Sequence, residues 1–225
     1  MPDAPPVHAV VFDCDGVLVD SERIAAPVLA QLLTELGLPT TAEEVDRDFK
    51  GRSWEYELEV IKARRGGLEP WPDLRERYHA ALFAAFDARL RPIPGIAAAL
   101  DALDAAGVAR CLASGSDHER IRRSLRAAGL LDRFPEATIF SAEDVAHGKP
   151  APDLFLHATA QMGFDRATTV IVEDSPTGVQ AGVAAGMRVL GYVAADADAD
   201  SLSSQGAKPF QEMAELPTIL GVRPR

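Results

Sequence analysis

Two pairs of acidic residues stand where short apolar runs end. Asp13 and Asp15, in Asp13-Cys14-Asp15-Gly16, follow the run 7–12, which only His8 interrupts; Glu173 and Asp174 follow the run 169–172. Apolar runs this short, closed by acids and glycine, read as strands buried on both faces. If the two strands are neighbours, four carboxyls meet in one crevice. Such a cluster repels itself and takes up protons unless a cation neutralises it. Hard oxygen ligands suit magnesium, which accepts one or two carboxylates together with water and phosphate oxygens. Acids also terminate strands with no function attached, and that reading suffices for either pair alone; it is poor for both together.

Positive groups and backbone donors would have to meet an anionic substrate there. Leu112-Ala113-Ser114-Gly115-Ser116 closes another apolar run, and Ser116 with Glu119 has capping-box spacing for a following helix. This sets the Ser114 hydroxyl and the nearby backbone N–H groups, that of Gly115 among them, at a helix N-terminus, where phosphate is favoured. A plain turn with a capping serine fits the same residues. Lys149, in His147-Gly148-Lys149-Pro150, precedes a proline and is therefore biased to extended backbone. It is placed either to pair with an aspartate and a phosphate or to stand exposed on a loop. Ser175-Pro176 reads as an N-cap followed by proline at the first helical position, so Glu173 and Asp174 come immediately before a helix start.

The elements that must position these residues alternate. Further short apolar runs lie at 108–113, 138–140 and 189–193, with helical patterns at 96–106, 119–128, 153–162 and 176–185. Three of the helices end in Ala-Ala-Gly, at Gly107, Gly129 and Gly186, where glycine relieves the left-handed closing residue. Strand and helix in alternation with short connections mean an α/β fold, a doubly wound parallel sheet covered by helices. In such a sheet ligands bind beyond the carboxyl ends of the strands. Residues 20–91 break the alternation with helical pattern only. Ile24, Val28, Leu32 and Leu36 fall four apart with Gly37 as a stop, and 41–49, 53–65 and 73–89 are amphipathic. The expected organisation is an α/β core over 1–19 and 92–225, with a helical cap inserted after the first strand over 20–91. The polar stretch 194–204 reads as a surface loop.

Composition narrows the function classes. In 225 residues, acids outnumber bases 34 to 23, a net charge of -11 that argues against nucleic-acid or anionic-membrane partners. No run approaches the ~18 apolar residues of a membrane span, and no secretory signal is visible at the N-terminus. Cys14 and Cys111 are too few and too scattered for a disulfide framework or a zinc cage; both read as small core residues, in keeping with a cytoplasmic monomer. Within that acidic background Lys50-Gly51-Arg52 stands out. It reads either as an exposed helix terminus or as a cap element meeting the far end of an anionic substrate.

Together these residues resemble a known family. Asp-x-Asp-Gly-Val-Leu-Val-Asp-Ser-Glu at 13–22, Ser114, Lys149 in Gly-Lys-Pro-x-Pro-Asp, and Glu173-Asp174-Ser175-x-x-Gly178 are similar to the four ordered motifs of the haloacid dehalogenase superfamily. The likeness spans nearly the whole chain, and within the superfamily it is to the group of β-phosphoglucomutase and the small sugar-phosphate phosphatases. The resemblance implies Asp13 as nucleophile and Asp15 as general acid and base. It implies Mg2+ held by the Asp13 carboxylate, the Asp15 backbone carbonyl and Asp174 with Glu173 in support, and phosphoryl oxygens held by Ser114, Gly115 and Lys149. The substrate expected is a small phosphorylated metabolite. Asp15, Glu173 and Asp174 together disfavour dehalogenation. A non-catalytic binding protein on the same fold is disfavoured by the intact set. The phosphomutase alternative expects a histidine where this chain has Ala25 and an arginine where it has Trp54, so water is the favoured final acceptor.

Overall fold

The computed structural model describes residues 6–49, 52, 54–194 and 199–222. β1 (Ala9–Phe12) is followed by four helices: α1 (Glu22–Glu35), α2 (Ala42–Phe49), α3 (Trp54–Arg64) and α4 (Leu74–Arg89). The chain then alternates through α5 (Ile96–Ala106), β2 (Ala109–Ser114), α6 (His118–Ala127), β3 (Ile139–Ser141), α7 (Asp153–Met162), β4 (Thr169–Glu173), α8 (Pro176–Ala184) and β5 (Arg188–Tyr192). It closes with α9 (Ala199–Ser203), β6 (Lys208–Phe210) and α10 (Leu216–Ile219). Short 3₁₀ turns fill several connections.

The sheet is wholly parallel, in the order β3-β2-β1-β4-β5-β6. β1 lies between β2 and β4, with Phe12 opposite both Leu112 and Val172. The order reverses beside β1, so a crevice opens beyond the carboxyl ends of β1 and β4. Both faces of the sheet are covered, and the residues of β1 and β4 are buried throughout. Continuous rather than alternating hydrophobicity is the consequence.

The glycines of the three Ala-Ala-Gly endings carry φ of +72°, +70° and +74° at Gly107, Gly129 and Gly186, the left-handed closing conformation expected of them. In α1, Ile24 and Leu32 are buried with Ala25, Ala26, Leu29 and Leu33, so the spacing-of-four stripe marks one edge of a wider apolar face. One apolar cluster runs without a break from Phe12 and Leu112 through Leu29 and Leu33 to Leu82 and Phe86, joining sheet and cap helices. The chain leaves and re-enters the core on two adjacent segments: Asp20 N–H donates to Arg91 O at 3.0 Å, and Ile93 N–H to Leu18 O at 3.0 Å.

Two expectations need correction, and one strand was not foreseen. The stretch 194–204 is not simply a loop, because Ala199–Ser203 is helical and buries Leu202 against the sheet edge. β6 extends the sheet although only Phe210 of its Lys-Pro-Phe is buried. Three residues with a central proline carry too little pattern to be read as a strand, and proline is tolerated because the strand is at an edge. The N-cap of α6 is Asp117, whose side chain accepts from Arg120 N–H at 2.8 Å, and not Ser116. Ser116 precedes that position by one residue, and its hydroxyl is committed elsewhere. Among the described residues no helix is long and apolar enough to cross a membrane.

Candidate active site

Asp13 continues β1 by one residue, its N–H donating to Val172 O at 2.9 Å, and its side chain is buried at the crevice floor. Glu173 ends β4 on the adjacent strand, and Asp174 follows it. One oxygen each from Asp13, Glu173 and Asp174 lie within 4.8 Å of one another. Two of these carboxylates, Asp13 and Glu173, share one buried cation, the ammonium of Lys149. Its Nζ donates to Asp13 Oδ1 at 2.5 Å and to Glu173 Oε1 at 2.7 Å, with a longer contact to Ala113 O at 3.3 Å.

The electrostatics follow from burial. Desolvation pushes the Asp13 carboxyl well above the usual range, with Glu173, Asp174 and Asp15 adding to the rise and Lys149 opposing it. Burial alone would lower Lys149, but Asp13 and Glu173 outweigh it and hold the ammonium above the ordinary lysine range. One fixed positive charge against three carboxylates leaves the triad negative, and hard oxygens in excess of charge are a donor set for Mg2+. The residues present fit that ion.

Glu173 also organises the turn into α8. Its Oε2 accepts from the N–H of Asp174 and of Ser175, both at 2.8 Å, and from the Ser175 hydroxyl at 3.0 Å. Ser175 in turn caps α8, accepting from Gly178 N–H at 3.1 Å ahead of Pro176 at the first helical position. Gly16 turns at φ +76°, and an added Cβ would overlap the Asp174 carboxylate, so this position needs glycine both for conformation and for space.

Asp15 faces a different set of groups. Ser21 donates to its Oδ1 at 2.5 Å, Ser116 to its Oδ2 at 2.7 Å, and Arg120 Nη2 to Oδ1 at 3.2 Å. Burial would raise this carboxyl, but Arg120 foremost, with Ser21 and Ser116, holds it below the usual range. Ser114 is buried at the end of β2, and its hydroxyl accepts from Ser116 N–H at 3.1 Å. Gly115 follows at the mouth of the crevice, beside the backbone carbonyl of Arg52.

Cap helices close the other side. A cleft partly open to solvent is lined by Asp13, Asp15, Ser114, Gly115, Lys149 and Asp174 from the sheet side and by Ala25, Arg52, Glu57 and Tyr78 from the cap side. Arg52 reaches this cleft with its guanidinium over Tyr56, 4.8 Å from the ring centre; Lys50 and Gly51 lie outside the described residues. Trp54 stacks nearly parallel on Tyr78 with centroids 5.8 Å apart. Cys14 points away into the core, fully buried with Sγ 3.6 Å from Ser124 Oγ, and burial pushes its thiol up. Cys111 is likewise buried and pushed up to about 12. His147 is exposed and pairs with Asp153 at 3.0 Å.

Sequence reasoning missed Ser21, Arg120 and Glu57. A signal for Arg120 exists: on α6 it is one turn from Ser124, the small buried residue packed on Cys14. Nothing in the local pattern of α3 singles out Glu57, which reaches the cleft only through the tertiary placement of that helix.

A family model described as a haloacid dehalogenase-like hydrolase matches residues 7–186. The 6-phosphogluconate phosphatase of Escherichia coli strain K12 is 30% identical over 217 residues, covering 96% of each chain. A solved haloacid dehalogenase-like protein of unknown function from Agrobacterium tumefaciens is 36% identical, with a TM-score of 0.77 over 96% of this chain and 98% of its own. A haloacid dehalogenase family hydrolase from Deinococcus radiodurans, solved with bound phosphate and sodium, is also 36% identical. Its TM-score is 0.76, over 97% of this chain and 96% of its own.

Proposed function

The chain belongs to the haloacid dehalogenase-like hydrolases, and on that premise we propose that it hydrolyses a small sugar phosphate or phosphorylated sugar acid through an aspartyl phosphate on Asp13. Its phosphatase relatives make it a phosphoric monoester hydrolase. The observation that carries the finer reading is the meeting of Asp13, Glu173, Asp174 and buried Lys149 at the ends of adjacent strands. We assign 1–19 and 92–225 to the catalytic core and 20–91 to a cap that covers it.

Asp13 is the nucleophile. Its carboxylate oxygen bonds to phosphorus as the ester bond breaks, so one hard displacement becomes two easier ones. Asp15 gives a proton to the departing alcohol, then takes one from the water that cleaves the aspartyl phosphate, releasing inorganic phosphate and restoring Asp13. Lys149, Ser114 and the Gly115 N–H bind the phosphoryl oxygens, where oriented donors act with little reorganisation. The Asp13 and Asp174 carboxylates and the Asp15 backbone carbonyl would hold Mg2+, with Glu173 in support; the ion supplies charge neutralisation on the phosphoryl oxygens when bound. Glu173 holds Lys149 between itself and Asp13. Ala25 lines the cleft without an imidazole and Trp54 is stacked on Tyr78, which favours water over a second sugar hydroxyl as acceptor.

Arg52 at the cap side of the cleft, with the relative's action on 6-phosphogluconate, supports a substrate with an anionic or hydroxyl-rich far end. The test is a phosphate-release screen with Mg2+ over sugar phosphates, sugar-acid phosphates, phosphoglycolate and nucleotides. Activity should vanish in Asp13→Asn and in EDTA; full activity in either would overturn the mechanism. Lys50→Ala with Arg52→Ala should raise KM on the best substrate, and unchanged kinetics would remove the cap element from recognition.

A further inference from the structure

Arg120 has no part in the steps above, yet its side chain is only 15% exposed and its guanidinium meets the acid/base carboxylate. Its placement is built from both ends. At the backbone end, its N–H is bound by Asp117, and Arg75 and His79 of α4 hold that same aspartate at 3.1 and 3.2 Å. At the guanidinium end, Asp15 lies on one side, while Glu57 and Tyr78 from the cap line the same cleft. A guanidinium does not give up its proton inside a protein. It stays a cation.

The donors around Asp15 are not equivalent. A guanidinium only donates, whereas a serine hydroxyl donates or accepts by rotating. Oδ1 receives Arg120 and Ser21, so it stays an acceptor in every protonation state. Among the described residues Oδ2 receives only the Ser116 hydroxyl, which can reverse. We propose that Arg120 is a positioning residue: it orients the Asp15 carboxyl and leaves Oδ2 as the oxygen that hands over and takes back the proton. As the phosphorus–oxygen bond breaks, its electron pair stays on the leaving oxygen, which takes the proton from Oδ2 and leaves Asp15 a carboxylate. In the second half Oδ2 takes one proton of the attacking water. The inference rests on Asp15 being the acid and base.

The leaving group provides the test. An alkyl phosphate needs a proton on its departing oxygen; 4-nitrophenyl phosphate does not. With Mg2+ present, kcat/KM, which reports steps up to phosphoryl transfer to Asp13, is measured on both for the parent chain, Arg120→Met, Arg120→Lys and Asp15→Asn. Arg120→Met should lose about 10²-fold on the alkyl ester, the scale of a general acid, and far less on the aryl ester; Arg120→Lys should recover part of the difference. The ratio of the two losses is independent of the active fraction, so a partly unfolded variant still decides. Should Arg120→Met not fold, Arg120→Gln, which also removes the charge, decides on the same terms. Equal losses on both esters, or none on either, overturn the assignment. If Asp15→Asn shows the leaving-group difference and Arg120→Met does not, only the role of Arg120 falls. If Asp15→Asn shows none, the acid role of Asp15 falls with it.

Discussion

Gly178→Ala is the substitution for which the site makes the sharpest demand. A Cβ on Gly178 would stand 2.5 Å from Glu173 Oε2 and closer still to Cδ and Oε1. Glu173 is 1% exposed and cannot swing aside. To make room it must abandon contacts among Lys149 Nζ at 2.7 Å, the Asp174 and Ser175 N–H groups at 2.8 Å and the Ser175 hydroxyl at 3.0 Å. Overpacking costs about 1–3 kcal/mol, and each hydrogen bond to a charged group is worth about 1.5–3 kcal/mol. Overpacking with the loss of a single such bond gives a destabilisation of about 3–5 kcal/mol. For a chain of this size that is a fall in Tm of roughly 6–20 °C. The folded fraction should also lose roughly 10² in kcat, because Lys149 and Asp174 move with Glu173. Gly182→Ala is the control: its methyl meets Val189 Cγ2 at 2.7 Å and Ile171 Cδ1 at 2.9 Å, apolar neighbours that hold no group of the site, so any loss of stability there should leave kcat of the folded fraction unchanged. Its cost is set against the ~1 kcal/mol that alanine gains over glycine in a helix. Thermal melting and phosphate release on both variants are the assays. A Gly178→Ala chain that melts within ~2 °C of the parent and turns over normally would refute the reasoning.

Two further predictions concern the seam between cap and core. Burial works to raise the Asp117 carboxyl, but His79, the Arg120 N–H and Arg75 hold it below the usual range. A depressed folded value means that the stabilisation is full above the unfolded pKa of ~3.9 and is lost as pH falls through the folded value. Asp117→Asn keeps an N-cap acceptor but loses the charge, so it should melt roughly 2–8 °C lower at pH 7, from ~1–2 kcal/mol. The gap should shrink below about pH 4; a gap constant from pH 7 to pH 3 would contradict the ion pairing. Glu57 is pushed up to about 8 by burial first, with Glu22, Glu55 and Asp15 adding and Arg120 opposing. A raised carboxyl costs the fold stability as pH climbs from the unfolded pKa to the folded one. Glu57→Gln should therefore gain on the parent between about pH 4.3 and pH 8 and level off above. The gain is ~1–2 kcal/mol once solvent screening at this half-buried side chain is allowed for. Melting curves across that range check it, and a gain that does not grow with pH would show that Glu57 is ionised at neutral pH in the folded chain.

Local chemistry made much of this protein legible without coordinates. A buried parallel strand must be continuously apolar, so β1, β2, β4 and β5 announced themselves. A helix that closes left-handed needs glycine, so Gly107, Gly129 and Gly186 marked three helix ends. The acids at strand ends, Ser114, Lys149 and the Ser175-Pro176 cap were readable for the same reason: each lies within a few residues of the signal that identifies it. Strand order is another matter. That β4 lies beside β1, although Phe12 and Thr169 are 157 positions apart and β2 is nearer in sequence, follows from how the sheet buries both faces. Only that adjacency turns Asp13 and Asp174 into one cluster and sets Lys149 between Asp13 and Glu173. The surroundings of Asp15 likewise had to be built: Ser116 looked like a helix cap until its hydroxyl met Asp15, and Arg120 meets Asp15 across 105 residues of chain. Residue type and spacing thus determine which groups can react, because those preferences are local. Which groups share one buried crevice, and so shift one another's charge, is decided by packing alone.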